Sequence, residues 1–453
     1  MNAITAIFDI GKTNKKCIVF DSNWKVIYKE EQAFNEILDD EGFPCEDLSS
    51  LQKWIFNQLD ILLWQHKIKV SHLNFSSYGA SWVHLSAQGE GIGHLYNYLK
   101  PFDEDLQQQF YNVYGPEAEF NTHTGSPKSG MLNSGMQLYW LKYKRPDLFN
   151  QIQTSIHFPQ YLSSLFTKQY VSDYTSIGCH TALWDYSEKN YHRWVEEEQL
   201  TSKLLPIVPT KTTFSVQYKG NPLTVGIGIH DSSAALYPYL IMTKRPFLLV
   251  STGTWAVVFN PYATQNFLFR TKTPLFYMQP EGRAVQAIRL FMGKEYDEQL
   301  DQISSHFRVS KKELNAISYQ SKYTPVNLNK PVFQWIYLDK NPELLQTNWD
   351  ALSHPEAAVH HLVYDLTLQL SKHIREEIQL DEIEDFYIEG GFSKNTVFLT
   401  YLSYFFPEVS LYKAETAVGS ALGAALVLGI SEKNLDGLRH NLNWEPFQPV
   451  FKI

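Results

Sequence analysis

Cysteine is scarce in this 453-residue chain: Cys17, Cys45 and Cys179 are odd in number and far apart. That excludes a disulfide frame or a cysteine metal knuckle, and fits small core hydrophobes in a reducing cytosol. No run of about 18 uninterrupted apolar residues occurs, so no membrane-spanning helix is expected. No basic leader precedes the strand-like run from Ala3 to Asp9, which argues against an export signal and for a cytoplasmic protein. Basic residues are also outnumbered, 39 Lys and Arg against 48 Asp and Glu, for a net charge of -9. A nucleic-acid partner is disfavoured on that balance, and any anionic ligand must be met by local donors or by Mg²⁺.

What is present is enough apolar side chain, 44% of residues with 15% aromatic, to fill two cores. The length argues for two domains, placed at 1–244 and 245–453. Their strongest common signal is a repeated turn. Ile7-Phe8-Asp9-Ile10-Gly11-Lys12-Thr13-Asn14 and Val250-Ser251-Thr252-Gly253-Thr254-Trp255 each interrupt a β-rich apolar run with a glycine and a hydroxyl. Such a turn presents backbone N–H groups and hydroxyls to an anion, and two of them facing each other would hold a polyphosphate. Residues 3–10 and 15–21 read as a hairpin that Lys25–Tyr28 extends. Helical periodicity spans Leu48–Trp64, and 70–77 returns to strand. A helical, loop-rich insertion fills 101–202. The pattern then restarts: strand over 223–229, helix over 231–240, a hairpin of 247–250 with 256–259, a long helix over 359–378, strand 385–389, and a small-residue helix over 417–428. The simplest account is an α/β protein built from two duplicated actin-like, ribonuclease-H-like domains with a cleft between them.

Two decoys fail on spacing. Gly11-Lys12-Thr13 imitates the end of a P-loop, but the first glycine position is Ala6 and a β-run, not a helix, follows. Gly226-Ile227-Gly228 imitates a dinucleotide fingerprint whose third glycine position is Asp231. Asp9, where the first strand meets its turn, is either a Mg²⁺ anchor acting through water or a carboxylate bonding turn amides. Asp231, between strand and helix, reads both as an N-cap and as a general base that orients a substrate hydroxyl toward phosphorus. Gly390-Gly391 lets a flat ring approach the backbone, or simply makes a left-handed turn.

In order, these segments resemble the FGGY family of carbohydrate kinases over nearly the whole chain. Asp9-Ile10-Gly11, Thr13, Asn14 and Lys16 resemble the first phosphate motif, and Ser251-Thr252-Gly253-Thr254-Trp255 the second. His230-Asp231-Ser232 is similar to the segment bearing the family's catalytic aspartate, Gly390 to Asn395 to its adenosine motif, and Glu415 to Ala421 to its closing helix. The resemblance implies ATP as donor and Mg²⁺ held by Asp9. It gives nucleotide contacts to Gly11, Thr13, Asn14, Lys16, Thr252, Gly253, Thr254, Gly390, Gly391 and Asn395. It lines the sugar pocket with Gly79, Ser81, Trp82, Tyr96, His230 and Asp231. Asn14, His230-Asp231-Ser232 and the Ser-Thr-Gly-Thr-Trp turn look most like the rhamnulokinase and fuculokinase branch, which implies a ketose such as L-rhamnulose or L-fuculose and allows a homodimer. The chain departs from the family pattern at Tyr98 and Gln160, which replace carboxylates, and at Lys12. Kept open beside this reading are a pentulokinase or polyol kinase and a catalytically silent nucleotide or sugar sensor.

Overall fold

The computed structural model describes residues 3–264, 274–324, 332–339, 344–415, 418–429 and 435–448. They form two compact units. The first comprises Met1–Met242, Thr264–Gln286 and Ala417–Asn441; the second comprises Thr243–Ala263, Ala287–Thr416 and Leu442–Ile453. The first division falls beside the boundary expected at 244, but the chain returns to the first unit twice, which a single boundary does not capture. The later return has a packing cause. Helix Gly419–Leu426 lies against helix Asp231–Met242 so closely that a Cβ on Gly423 would stand 1.8 Å from the Ala234 carbonyl oxygen. Only glycine permits that approach, and Asn74 Nδ2 adds a 2.8 Å bond to the Ala424 carbonyl.

In the first unit, strand Thr5–Ile10 is buried at every position, as an apolar run in the middle of a sheet must be. It pairs antiparallel with Asn14–Phe20, setting Asp9 opposite Lys16, and parallel with His72–Ser77, setting Asp9 opposite Ser76. Val26–Ala33 forms one edge, where Lys29, Glu30, Glu31 and Gln32 keep the rim charged or polar. Asn221–Gly226 and Thr213–Tyr218 extend the other side, and Ile229–His230 joins the end of His72–Ser77. The expected first helix is Leu48–Asp60, capped where Asp47 accepts from the Ser50 N–H. It buries Leu51, Trp54, Ile55 and Leu59 against the sheet. The 101–202 stretch is largely helical, as expected, and has a core of its own around Phe110, Phe120, Tyr139, Trp140 and Trp194.

In the second unit, Phe247–Thr252 pairs antiparallel with Ala256–Asn260 and parallel with Asp385–Gly390, so that Thr252 sits opposite Gly390. Ser410–Ala414 and Trp444–Pro446 continue the sheet. The long helix runs Pro355–Glu377, a few residues earlier than its periodicity indicates, because Pro355 at the first turn needs no N–H partner. Both units therefore contain one local plan: a strand, a glycine turn, an antiparallel return, and a parallel neighbour on the other side.

Candidate active site

In the first unit, the strand-end position delivers Asp9 to the turn. Its carboxylate is buried and accepts from Ser420 Oγ at 2.9 Å. Burial holds its pKa above the ordinary carboxylate value; the Ser420 bond and the charge of Lys16 oppose that rise, and the charge of Asp231 adds to it. Asp9 and Asp231 are thus close enough to feel each other. Asp231 opens helix Asp231–Met242, and its Oδ1 collects the Ser232 N–H at 2.6 Å and the Ser232 hydroxyl at 3.2 Å. Burial pushes it up to about 6, the Ser232 bonds pulling the other way, while a third of the side chain stays open to solvent. A carboxylate with that value and that opening can accept a proton near neutral pH.

His230 is the wall behind this acid. Its Nε2 lies 3.1 Å from Cys179 Sγ and 3.3 Å from Asp231 Oδ1, and burial lowers its pKa to about 4, so the ring is neutral. Gly79 passes so close that a Cβ there would meet the His230 Cδ2 at 2.8 Å. Ser81 is buried, and its carbonyl accepts from the Phe158 N–H. Two expected pocket residues are almost fully buried. Trp82 is 2% exposed, donates from Nε1 to the Ser134 carbonyl at 2.7 Å and stacks on His157 at 3.6 Å. Tyr96 is 1% exposed, lies edge-on to Trp140 and donates to Asp40. Both are core residues of the helical region, because their rings find more apolar contact there than a wet pocket offers. Tyr98 is the aromatic whose phenol feels Asp231, its pKa raised first by burial and then by that charge. Gln160 is committed as well. Its Nε2 donates to Asp173 Oδ1 and to the Gly228 carbonyl, while its Oε1 accepts from Ser176 Oγ.

The first turn itself closes through Gly11 N–H donating to the Asn14 carbonyl at 3.0 Å, leaving Thr13 and Asn14 exposed. In the second unit, Gly253 N–H donates to the Trp255 carbonyl at 2.9 Å, and Gly253 and Thr254 are exposed. They border a pocket of about 520 Å³, within the range of small-molecule sites, whose floor includes Gly391 and Asn395. The Thr252 hydroxyl donates to the Glu389 carbonyl and accepts from the Phe392 N–H, so it ties the two motifs together at the pocket wall. Gly390 has φ +82°, and a Cβ would stand 1.7 Å from the Thr252 carbonyl oxygen; Gly391 meets nothing within 4 Å. The first glycine shapes the turn and the second leaves its face open. Asn395 caps helix Thr396–Phe405 through Oδ1.

Sequence reasoning missed Gly293, Lys294 and Asn315, which line this pocket, and no local spacing signals them. A Cβ on Gly293 would stand 1.9 Å from the Gly253 carbonyl oxygen, so helix Met292–Phe307 begins directly on the turn. Ser420 lies inside a motif the sequence singled out, but its bond to Asp9 across 411 positions has no local signature. Of that motif, Thr416 and Ala417 lie outside the described residues.

Among the described residues, no group of three or more His, Cys, Asp or Glu gathers around a metal position. Mg²⁺ usually takes one or two carboxylates with phosphate and water, and the hard oxygens of Asp9 fit that demand. Among the described residues, no helix is long and apolar enough to cross a membrane.

Residues 4–217 match the N-terminal domain of the FGGY family of carbohydrate kinases. A rhamnulokinase from Halalkalibacterium halodurans is 24% identical over 195 residues, 41% of this chain and 40% of that protein, so the match spans less than half of the relative. A carbohydrate kinase from Novosphingobium aromaticivorans superposes with a TM-score of 0.78 at 19% identity, covering 99% of this chain and 97% of the other. A ligand-bound xylulose kinase from Lactobacillus acidophilus gives 0.74 at 14% identity, covering 98% and 94%. The two units thus adopt the two-domain actin-like fold of those structures, and residues 4–217 match the N-terminal domain of the FGGY family of carbohydrate kinases.

Proposed function

We propose that the protein transfers the γ-phosphoryl group of ATP to a hydroxyl of a sugar, with Asp231 as the general base. The observation that carries this is Asp231 itself: a carboxylate raised to about 6, one-third open to solvent, with its unit's hydrogen bonds gathered on Oδ1. In a loose transition state such a base mainly orients the sugar hydroxyl and takes its proton late. His230, neutral and packed behind, adds no charge of its own beside the acid. Thr13 and Asn14 in the first unit, and Gly253 and Thr254 in the second, would offer their turns to the phosphates. Gly391 and Asn395 would receive the nucleoside. Asp9 would hold Mg²⁺, which when bound neutralises phosphate charge.

We infer a ketose as the acceptor, L-rhamnulose or L-fuculose first. The support is the Asn14, His230-Asp231-Ser232 and Ser251 to Trp255 pattern, together with the partial likeness to a rhamnulokinase. A coupled ADP-release screen over ketoses and polyols, xylulose and ribulose included, tests both levels. Turnover confined to a pentulose or polyol removes the deoxyketose assignment. Tight ATP binding without turnover on any sugar removes the kinase assignment and favours a sensor.

A further inference from the structure

Beneath the first turn lies a buried lysine that the chemistry above does not use. Lys15 is 2% exposed; its Nζ donates to the Lys12 carbonyl at 3.0 Å and pairs with Glu46 Oε2 at 2.9 Å. Tyr78 donates to the same Glu46 oxygen at 3.2 Å, and its pKa, raised far above the ordinary phenol value by burial and then by Glu46, keeps it a donor. The three groups form a closed interior set behind the turn. An ammonium is costly to bury, and a network of this kind is retained only where its geometry is excellent.

The peptide between Lys12 and Thr13 is trans, so its C=O and N–H point in opposite directions. Lys15 holds that carbonyl inward, which aims the Thr13 N–H outward, onto the exposed face of the turn. We propose that Lys15 is a positioning residue that locks this peptide in the anion-binding orientation, with Glu46 and Tyr78 holding the lysine in place. Without it, the peptide is free to turn its carbonyl outward and present a partial negative charge to the phosphate. The inference rests on the kinase reading, since the anion is taken to be the ATP phosphate chain.

The test is calorimetric binding of a non-hydrolysable ATP analogue with Mg²⁺. Lys15→Met alone leaves Glu46 buried and unpaired, so the informative variant is Lys15→Met with Glu46→Gln, which keeps volume and removes both charges. Its affinity is expected to fall about tenfold or more, the loss of a charge-assisted hydrogen bond, while the melting temperature stays near wild type. Glu46→Gln alone loosens the hold on the lysine, so its affinity should fall between those of the wild type and the double variant. Hydrogen exchange on the wild type supplies a second readout that needs no variant to fold: the analogue should slow exchange in a peptide spanning 11–15. A double variant that is native in stability and binds like wild type overturns the proposal, and so does an absence of protection in a wild type that binds. A wild type that binds no analogue at all instead takes down the nucleotide reading itself.

Discussion

The two glycine turns share a backbone plan and differ in what stands behind them. In each, the glycine N–H returns to a carbonyl of its own turn, and the strand before it runs parallel to a neighbour. Behind the first turn are charges: Asp9 at the strand end, Lys16 opposite it, and the interior Lys15 with Glu46. Behind the second are bare backbones, Gly293 against the Gly253 carbonyl and Gly390 against the Thr252 carbonyl. Two positions before its glycine the first turn has Asp9, and the second has Ser251. A duplicated scaffold has thus been divided between a half that is electrostatically built and a half that is sterically built. The first suits chemistry on a developing charge, and the second suits holding a ligand by shape.

The largest expected effect falls in the charged half. Asp231→Asn should lower kcat about 10²- to 10⁴-fold, the usual contribution of a positioned general base, and leave ATP-analogue affinity near wild type. In the wild type the base must be ionised, so kcat/KM should fall about tenfold per pH unit below about 6 and level off above it. Stability runs the other way. The folded pKa is above the unfolded value of 3.8, so the folded state holds the proton more tightly between pH 3.8 and about 6, and stability declines as pH rises through that window. Asp231→Asn should therefore flatten that decline and should not lower the melting temperature at pH 7. A variant with full activity removes Asp231 as the base.

The sterically built half makes a paired prediction. Gly390→Ala forces a side chain into φ +82° and onto the Thr252 carbonyl, which should cost about 3 kcal/mol or more of folding stability. Gly253→Val meets only the Trp255 carbonyl, at 3.9 Å, so its branches should fill the pocket mouth and weaken ATP binding with little change in melting temperature. If Gly253→Val unfolds the protein, or Gly390→Ala is silent, the second turn is not held by shape and the contrast with the first fails.

Gln160 sharpens the charged half in a different way. In the sequence it stands where relatives place a carboxylate, which implies a change in sugar recognition; in the fold it feeds the buried Asp173, which also accepts from Thr175, Ser176 and Thr210. Gln160→Asp would face two buried carboxylates toward each other and shorten the link, so a loss on the order of 3 kcal/mol is expected by denaturant unfolding. A stable variant with altered sugar preference would return Gln160 to the recognition surface.

These cases show what a chain displays before it folds. The strands, both turns and the long helix were legible because burial imposes period 2 or 3.6 and because glycine marks a turn. Asp9 and Asp231 stood out because each falls where a strand gives way to a turn or a helix, and the fold puts them there. The burial of Trp82 and Tyr96 was not legible, because an aromatic beside a motif looks the same whether its ring faces a cleft or a core. Gly293, Asn315 and Ser420 were illegible because their neighbours are distant in sequence, and only the fold makes them neighbours. Lys15 was hidden by alternation: Lys16, one position on, points to the Asp9 side, so its partner points the other way, into the interior.

The smallest effect belongs to the lysine that the sequence made conspicuous. Lys12 departs from its family pattern inside the turn, and in the fold its Nζ pairs with Glu36 at 2.5 Å, both side chains partly solvent-exposed. An exposed pair of this kind contributes about 0 to 1 kcal/mol and is screened by salt. The turn uses the Lys12 carbonyl, which any residue supplies, and not its ammonium. Lys12→Ala should therefore shift the melting temperature little and change ATP-analogue affinity by less than about twofold, which is under 0.5 kcal/mol. Loss of affinity in Lys12→Ala as large as that in the Lys15 double variant would mean that the phosphate is met by the outer charge, and that the inner lysine only supports the fold.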